Sequence, residues 1–514
     1  MAKKPKNVLF LWTDQQRADT IGAYRRTGPA GPAGQARPRT PYLDRLAASG
    51  TLFEQAYTAQ PVCSPDRASV LTGLYPHAHG VTSNSMVLPP AARTLAEYLR
   101  PAGYACGYIG KWHLGREHCA QRGFEDFWRS TENYAFGYGE GDPDPRGLSD
   151  YEQSLVARGY LQPGPNQKVS PIGRPAAARM PEEAGKPAFQ AAESIRFLET
   201  FKEQPFLLMC NFLEPHPPNH GPWDAMYDPD TIPLPESWYR DFEESVPLRY
   251  RLRRRHNEFV DARWEKWAPG HLQGNDARHW REVIARYWGL VSLVDKYVGQ
   301  ILSRLDELGL AEDTIVVYST DHGDMMGEHR LLNKGLNYEG AAHVPLLLRV
   351  PGTMPRRIAT PVSQADVLPT LLELLHQPVP AGLHGCSLLP LTAEGDTDPD
   401  GAEVAIEWNG YDSYPSEFNR PGRLMESDED ERRLRAVDLR TILRGRWKLS
   451  VHASGEHELY NLLADPGETH NAFGDAGSDA VVRDLHARLI AWQRRTNDPL
   501  HPPDPTRTAE TVPP

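Results

Sequence analysis

Two residue pairs, far apart in this chain, share one setting. Asp14 and Gln15 follow the apolar run "NVLFLW", and Asp321 and His322 follow "TIVVYST". Both runs read as buried strands, and in an open parallel sheet the carboxyl ends of strands face the ligand crevice. If the pairs converge, two carboxylates, an amide oxygen and an imidazole make a cage for a divalent cation. The oxygen majority favours Ca²⁺, Mg²⁺ or Mn²⁺, and the histidine leans toward Mn²⁺ over Ca²⁺. A single Asp after a strand is more often a helix cap than a ligand. Two such pairs, each with a second donor, favour the metal.

Cys63 lies in "PVCSPDRASVLTG", among small, turn-forming residues and just ahead of Arg67 and an apparent helix. An unmodified thiol has a pKa near ~8.5 and forms a soft thiolate. Hard oxygen ligands select a hard cation, which gains little from sulfur. No base near it in sequence is dedicated to it, so its own surroundings leave three readings: buried filler, nucleophile, or precursor of another group.

The elements that must position these residues follow a rhythm of apolar run, turn and helical pattern over the first three quarters of the chain. "NVLFLW", "TLFEQAY", "ACGYIG", "PFLLMCNFL" and "TIVVYST" are predicted strands. "TPYLDRLAASG", "TLAEYLRPAGY", "AAESIRFLETFKEQ", Val283 to Leu308 and "VLPTLLELLHQ" are predicted helices. Apolar strands alternating with helices imply an α/β fold, a large, mostly parallel sheet sandwiched by helices. Residues 129–185 and 217–275 break the rhythm and are expected to carry substrate loops. The second holds the basic run "RYRLRRRH", expected to be a solvated helix face paired with Glu243 and Glu244, with oligomer contact or anion attraction as the second reading. Composition shifts to a linker near residues 392–403; beyond it, short antiparallel strands and a last helix predict a smaller C-terminal α+β subdomain. The expected division is 1–395 catalytic, 396–497 C-terminal, and 498–514 a flexible tail or oligomer arm.

The 514 residues, 39% of them hydrophobic, allow a large core. Lys and Arg total 56 against 68 Asp and Glu, a net charge of -12 that gives no global pull toward nucleic acid or anionic membrane. A local cationic pocket for a small anion remains compatible with it. The N-terminal apolar run is too short for a signal peptide or a membrane span, so a cytoplasmic protein is expected. The five cysteines are scattered and lack CxxC spacing, which suggests neither a disulfide framework nor a cysteine zinc site. Apart from Cys63, they are expected to be small core residues.

"CSPDR", residues 63–67, fits the CxPxR signature of the type I sulfatases of the alkaline phosphatase superfamily. The chain resembles that family also in "ASVLTGLYPHAHGV", "TPYLDRLA", "GKWHLG", "EPHPP", "STDHGDMMGEH", "NKGLNYEG" and "ELYNLLADPGETHN", in the family's order. The resemblance implies an alkaline phosphatase-like fold and conversion of Cys63 to formylglycine, an aldehyde whose hydrate offers oxygen rather than sulfur to a hard metal. It implies Asp14, Gln15, Asp321, His322 and residue 63 as ligands of one divalent cation, Ca²⁺ or Mn²⁺ ahead of Mg²⁺. Arg67 would hold the diol. Lys111 would neutralise the ester oxyanion, and His113 would bind the diol and act as base in its regeneration. The pair would point the same way if their loop is extended. His216 and Lys334 would contact the ester and protonate the departing oxygen. His77, His79 and His329 are expected to be structural.

Gln15 and His322 replace the Asp and Asn common in the family. That combination is similar to the branch holding choline sulfatases and phosphonate monoester hydrolases, whereas "GKWHLG" resembles mainstream sulfatases. His343 stands where the family often has Arg. The resulting expectation is a sulfuric ester hydrolase for small sulfate monoesters, matured by formylglycine-generating machinery, with no nucleic-acid or membrane partner. The alternative is a phosphonate monoester or phosphodiester hydrolase with the same nucleophile, or promiscuity for both. A noncatalytic binding protein of the same fold is the reading from another class. The tail and the basic run are the segments that would carry a homodimer or homotetramer.

Overall fold

Strand β1 (Asn7–Asp14) is buried along its whole length, and its alternate residues separate two helix layers. Val8, Phe10 and Trp12 join one apolar cluster, whereas Leu9 and Leu11 join the other. Successive strand side chains point to opposite faces, so an uninterrupted apolar run is what a strand covered on both faces requires. The first cluster takes in Val70 and Leu71 of helix Cys63–Thr72 and Leu368, Leu371 and Leu372 of helix Val367–Leu374. The second takes in helices Pro41–Ala48, Lys186–Phe201 and Ala277–Glu307. In the last of these, Val294, Val298, Ile301 and Leu305 are fully buried at helical spacing. Each such side chain contributes about 1.5–3 kcal/mol relative to exposure.

The computed structural model describes residues 6–25, 36–132, 147–161, 180–217, 219–254, 276–394, 401–410 and 437–506. The main sheet contains β2 (Thr51–Tyr57), β3 (Ala105–Gly110), β4 (Phe127–Ser130), β5 (Phe206–Pro215), β6 (Thr314–Thr320), β7 (His343–Arg349), β8 (Arg356–Ile358) and β9 (Val362–Ser363), with β1 at its centre. The strand order is β4-β3-β5-β1-β6-β7-β2-β8, with β9 also on β2. All pairings are parallel except those of β7, which is antiparallel to β6 and β2. The register sets strand ends side by side: Gly110 of β3 pairs with Asn211 of β5, Asp14 of β1 with Pro215 of β5, and Thr13 with Thr320 of β6.

A second, antiparallel sheet, β10 (Glu403–Asn409), β11 (Asp438–Arg444), β12 (Trp447–His452) and β13 (Glu458–Asn461), packs beneath helix Asp479–Thr496. Strand β10 was not anticipated from sequence, and the expected linker at 392–403 is in part helix, Leu389–Glu394, with residues 395–400 outside the described set. The beginning of the tail is tied down: Asp498, 5% exposed, accepts from Arg440 at 2.7 and 2.9 Å.

Other expectations need correction. "TPYLDRLAASG" reads as a helix capped from within its own sequence, but helix Pro41–Ala48 is capped by the distant Asp295, which accepts from the amides of Tyr42 and Leu43. Cys106 and Cys210 are buried as expected, but Cys119 is half-buried and Cys386 exposed. The basic run is not a solvated face, because Arg249 and Arg253 are buried, Arg254 pairs with Asp241 at 3.0 Å, and Glu243 faces His470. Phe242 and Tyr250 draw this segment inward, Phe242 against His329 and Tyr250 against Tyr338. Residues 255–275, with Trp264 and Trp267, lie outside the described set. Among the described residues no helix is long and apolar enough to cross a membrane.

Candidate active site

The parallel ends of β3, β5, β1 and β6 stand in a row, and each delivers a side chain to one spot. β1 ends in Asp14, β6 runs into Asp321 and His322, and helix Cys63–Thr72 points its first residue at them. Ligand atoms of Asp14, Cys63, Asp321 and His322 all lie within 4.8 Å of one another, and all four residues are buried. Cys63 Sγ is 3.2 Å from His322 Nε2 and 3.9 Å from an Asp14 oxygen. His322 Nδ1 faces the Gly323 carbonyl at 2.9 Å and must therefore donate, so in the neutral ring the Nε2 lone pair is aimed at the cluster. Asp321 is held by the amides of Gln15 and His322, both at 3.0 Å.

Gln15 sits in left-handed backbone, φ 66°, at the sharp exit from β1. Its side-chain amide donates to Asp324 at 2.6 Å and to Asn333 at 3.1 Å. That fixes its oxygen on the opposite side, where the Lys334 ammonium donates to it at 2.7 Å. Asp324 and Asn333 are supports that residue-by-residue reading missed, although both lie in or beside the motifs that carry Asp321 and Lys334.

Cations surround the carboxylates. Lys111 Nζ is 2.7 Å from Asp14 and 3.6 Å from Cys63 Sγ. Arg67 donates to Asp14 at 2.7 Å, to Asp321 at 3.0 Å and to the Lys111 carbonyl at 2.8 Å. Burial works against ionisation of Asp14, but Lys111, His216 and Arg67 outweigh it and hold the carboxyl well below its usual range. Burial and Asp14 push the Cys63 thiol up, yet Lys111 and Lys334 bring its net value below the ordinary one. The positive end of the helix that starts at Cys63 works in the same direction. By contrast, burial pushes Cys106 and Cys210 up to about 12, as expected of inert core thiols.

The loop after β3 is not extended, so the condition for Lys111 and His113 to point the same way is not met. Gly110 has φ 111°, and a Cβ there would overlap the Asn211 carbonyl oxygen; His113 is left-handed, φ 60°. The turn is held by Glu117, which accepts from the His113 amide at 2.8 Å, and by Ser64, whose hydroxyl donates to the His113 carbonyl at 2.7 Å. Asn211 donates to the Lys111 carbonyl at 2.7 Å. Glu117 and Asn211 were also missed, because nothing in their local sequence shows that they hold a loop.

Burial and the neighbouring Lys111 and Arg67 keep His113 well below its usual pKa, and burial and Lys334 do the same for His216. His216 Nδ1 donates to the Pro217 carbonyl at 2.6 Å, so its Nε2 is an acceptor when the ring is neutral. His77, His79 and His329 are structural, as expected: His77 pairs with Glu407, His79 with Ser69, and His329 stacks on Tyr338. His343 packs beside Tyr57 and faces the Glu54 carbonyl.

Buried carboxylates, an oriented imidazole and flanking ammonium groups thus meet at the strand ends of a helix-covered sheet. The sequence profile of the family described as Sulfatase matches residues 6–377. The chain belongs to the sulfatase family and is a sulfuric ester hydrolase. It is similar to the uncharacterized sulfatase YidJ of Escherichia coli, 28% identical over 510 residues covering 97% of this chain and 89% of that one. It is 28% identical over 508 residues to the multifunctional alkaline phosphatase superfamily protein PehA of Trinickia caryophylli, covering 95% of each. Among solved structures it matches the phosphonate monoester hydrolase SpPMH from Silicibacter pomeroyi with a TM-score of 0.74 at 22% identity, over 98% of this chain and 96% of that chain.

Proposed function

We propose that this sulfatase cleaves small sulfate monoesters to an alcohol and inorganic sulfate with formylglycine at position 63 and one divalent cation, Ca²⁺ or Mn²⁺. The observation that carries this is the convergence of Cys63 with Asp14, Asp321 and His322. The donor set fits a hard cation: two carboxylates, an imidazole with its lone pair turned inward, and the Gln15 oxygen close by on Lys334. Sulfur is the misfit, and an oxygen-bearing residue at position 63 removes it. When bound, the cation neutralises ester oxygens, and the hydrated aldehyde supplies the attacking oxygen.

The chain's own residues then have distinct tasks. Arg67 keeps Asp14 and Asp321 together and, with Lys111 and His216, holds the Asp14 carboxyl well below its usual range. Lys111 Nζ, placed between Asp14 and position 63, faces the oxyanion of the ester. Neutral His113 accepts a proton during regeneration. Lys334 Nζ carries protons, whereas His216 Nε2 does not when neutral, so proton delivery to the leaving oxygen falls first to Lys334 and His216 orients the ester.

The phosphonate reading remains the second one, favoured by Gln15 and His322 and by likeness to a phosphonate monoester hydrolase fold. Catalytic efficiencies on an aryl sulfate and a phenylphosphonate monoester with the same leaving group separate the two. Faster sulfate turnover is expected; faster phosphonate turnover would replace the first reading with the second. The mass of the peptide containing residue 63 shows whether maturation machinery has made the aldehyde, and Cys63→Ala should abolish both activities. We also propose residues 1–395 as the catalytic domain and 396–497 as the C-terminal subdomain, supported by the two separate sheets.

A further inference from the structure

The arginine-rich stretch is the sequence feature that the reaction leaves unused. Its Arg249 exposes only 5% of its surface, close to the 9% of Lys334. Among the described residues it has no carboxylate partner. Nη2 donates to the carbonyl of Gly335, the guanidinium lies over the Trp408 ring at 4.1 Å, and Nη1 is buried with no hydrogen-bond partner. Trp408 Nε1, on the other member of the stack, is likewise buried and unpartnered. A buried cation is normally balanced by an anion, because losing hydration without a counter-ion is expensive. Burial, with Arg253 nearby, outweighs Tyr250 and the more distant Glu458 and holds the Arg249 guanidinium below its usual pKa.

The position of the stack relates it to the ester. Gly335 is the residue after Lys334, and its amide donates to Pro61 at 2.9 Å. Its φ is 86°, and a Cβ there would lie 3.1 Å from the Trp408 ring, so Trp408 presses on the loop that carries Lys334. On the other side Trp408 packs with Val62, the residue before Cys63. The stack therefore touches both the segment that carries Lys334 and the one that carries Cys63.

We propose that Arg249, stacked on Trp408, binds a second anionic group, a carboxylate or a further sulfate, on the alcohol portion of the substrate. This rests on the assignment of position 63 and Lys334 to ester cleavage. The preferred substrates are then dianionic or polyanionic sulfate esters. An arginine is suited to such a group because its planar fork matches carboxylate and sulfate oxygens while its face stacks on an aromatic ring.

The test is calorimetric binding to the Cys63→Ala protein, which does not depend on turnover. The ligands are phenyl sulfate, meta-carboxyphenyl sulfate and resorcinol disulfate. At least one dianion is expected to bind tenfold or more tightly than phenyl sulfate, and the tighter of the two names the second anion. Adding Arg249→Met should shrink that gap to threefold or less while weakening phenyl sulfate by a smaller factor than the dianion. Arg249→Lys, which keeps a charge, should restore part of the gap. A parent without the gap, or a gap that survives Arg249→Met, overturns the proposal. If Arg249→Met does not fold, Arg249→Gln is read by the same criterion. Failure of the sulfatase assignment would show separately, as no turnover of phenyl sulfate by aldehyde-bearing enzyme.

Discussion

The Arg67 guanidinium donates from Nε to the Asp321 carboxylate at 3.0 Å, with both side chains withdrawn from solvent. The same guanidinium reaches Asp14, so one residue of the Cys63 helix ties together the ends of two neighbouring strands. Removing one partner from a buried ion pair leaves the other uncompensated, which costs about 3–5 kcal/mol. Arg67→Ala should therefore lower stability in denaturant titration by about that amount and abolish turnover. Arg67→Lys should recover part of the stability but little activity, because an ammonium cannot span both carboxylates.

Asp324 tests the support of the metal site. It accepts from the Gln15 amide at 2.6 Å and from the backbone of Met326 and Asn333. Loss of such an outer support typically reduces metal affinity ~10- to 100-fold. A reduction of that order is expected for Asp324→Ala in a Mn²⁺ or Ca²⁺ titration, with a smaller one for Asp324→Asn.

Lys334 and His216 should differ in their dependence on the leaving group. Acid assistance is worth ~10²- to 10⁴-fold and matters most for poor leaving groups. Plots of kcat/KM against leaving-group pKa should steepen strongly for Lys334→Ala and less for His216→Ala. Equal slopes for the two variants would contradict the division of labour drawn from His216 Nδ1 and its carbonyl partner.

Glu214 gives a stability test through pH. Burial, opposed by Lys186, pushes it up to about 7, and its Oε2 is buried without a partner. A carboxyl raised in the fold contributes stability that is fully present below its unfolded pKa and lost as pH rises through the folded value. The protein should therefore lose about 1–3 kcal/mol from this group between pH ~4.5 and pH ~8. Glu214→Gln should flatten that part of the profile in thermal unfolding; an unchanged profile would show that Glu214 does not titrate in this range.

The central strands β1, β2, β3, β5 and β6 and most helices could be read from the chain because their signals are local, whereas Arg67, Lys111, His113, His216 and Lys334 became candidates only through the family resemblance. A strand covered on both faces must be apolar throughout, and Asp14 and Asp321 stand where such runs end. Cys63 was conspicuous because sulfur is the wrong donor beside hard oxygen ligands. Tertiary structure alone decided which strand ends adjoin, since β1 lies between β5 and β6, elements remote from it in sequence. It also decided the left-handed turn at His113, held by Glu117 and Ser64, and the grip of Asp324 and Asn333 on Gln15. Arg249 shows the limit most plainly: its neighbours in sequence are basic and suggest a solvated face, but Trp408 and Gly335 take it into the interior. Local composition reports what a segment can tolerate; burial and partnership depend on distant segments that only the folded chain brings together.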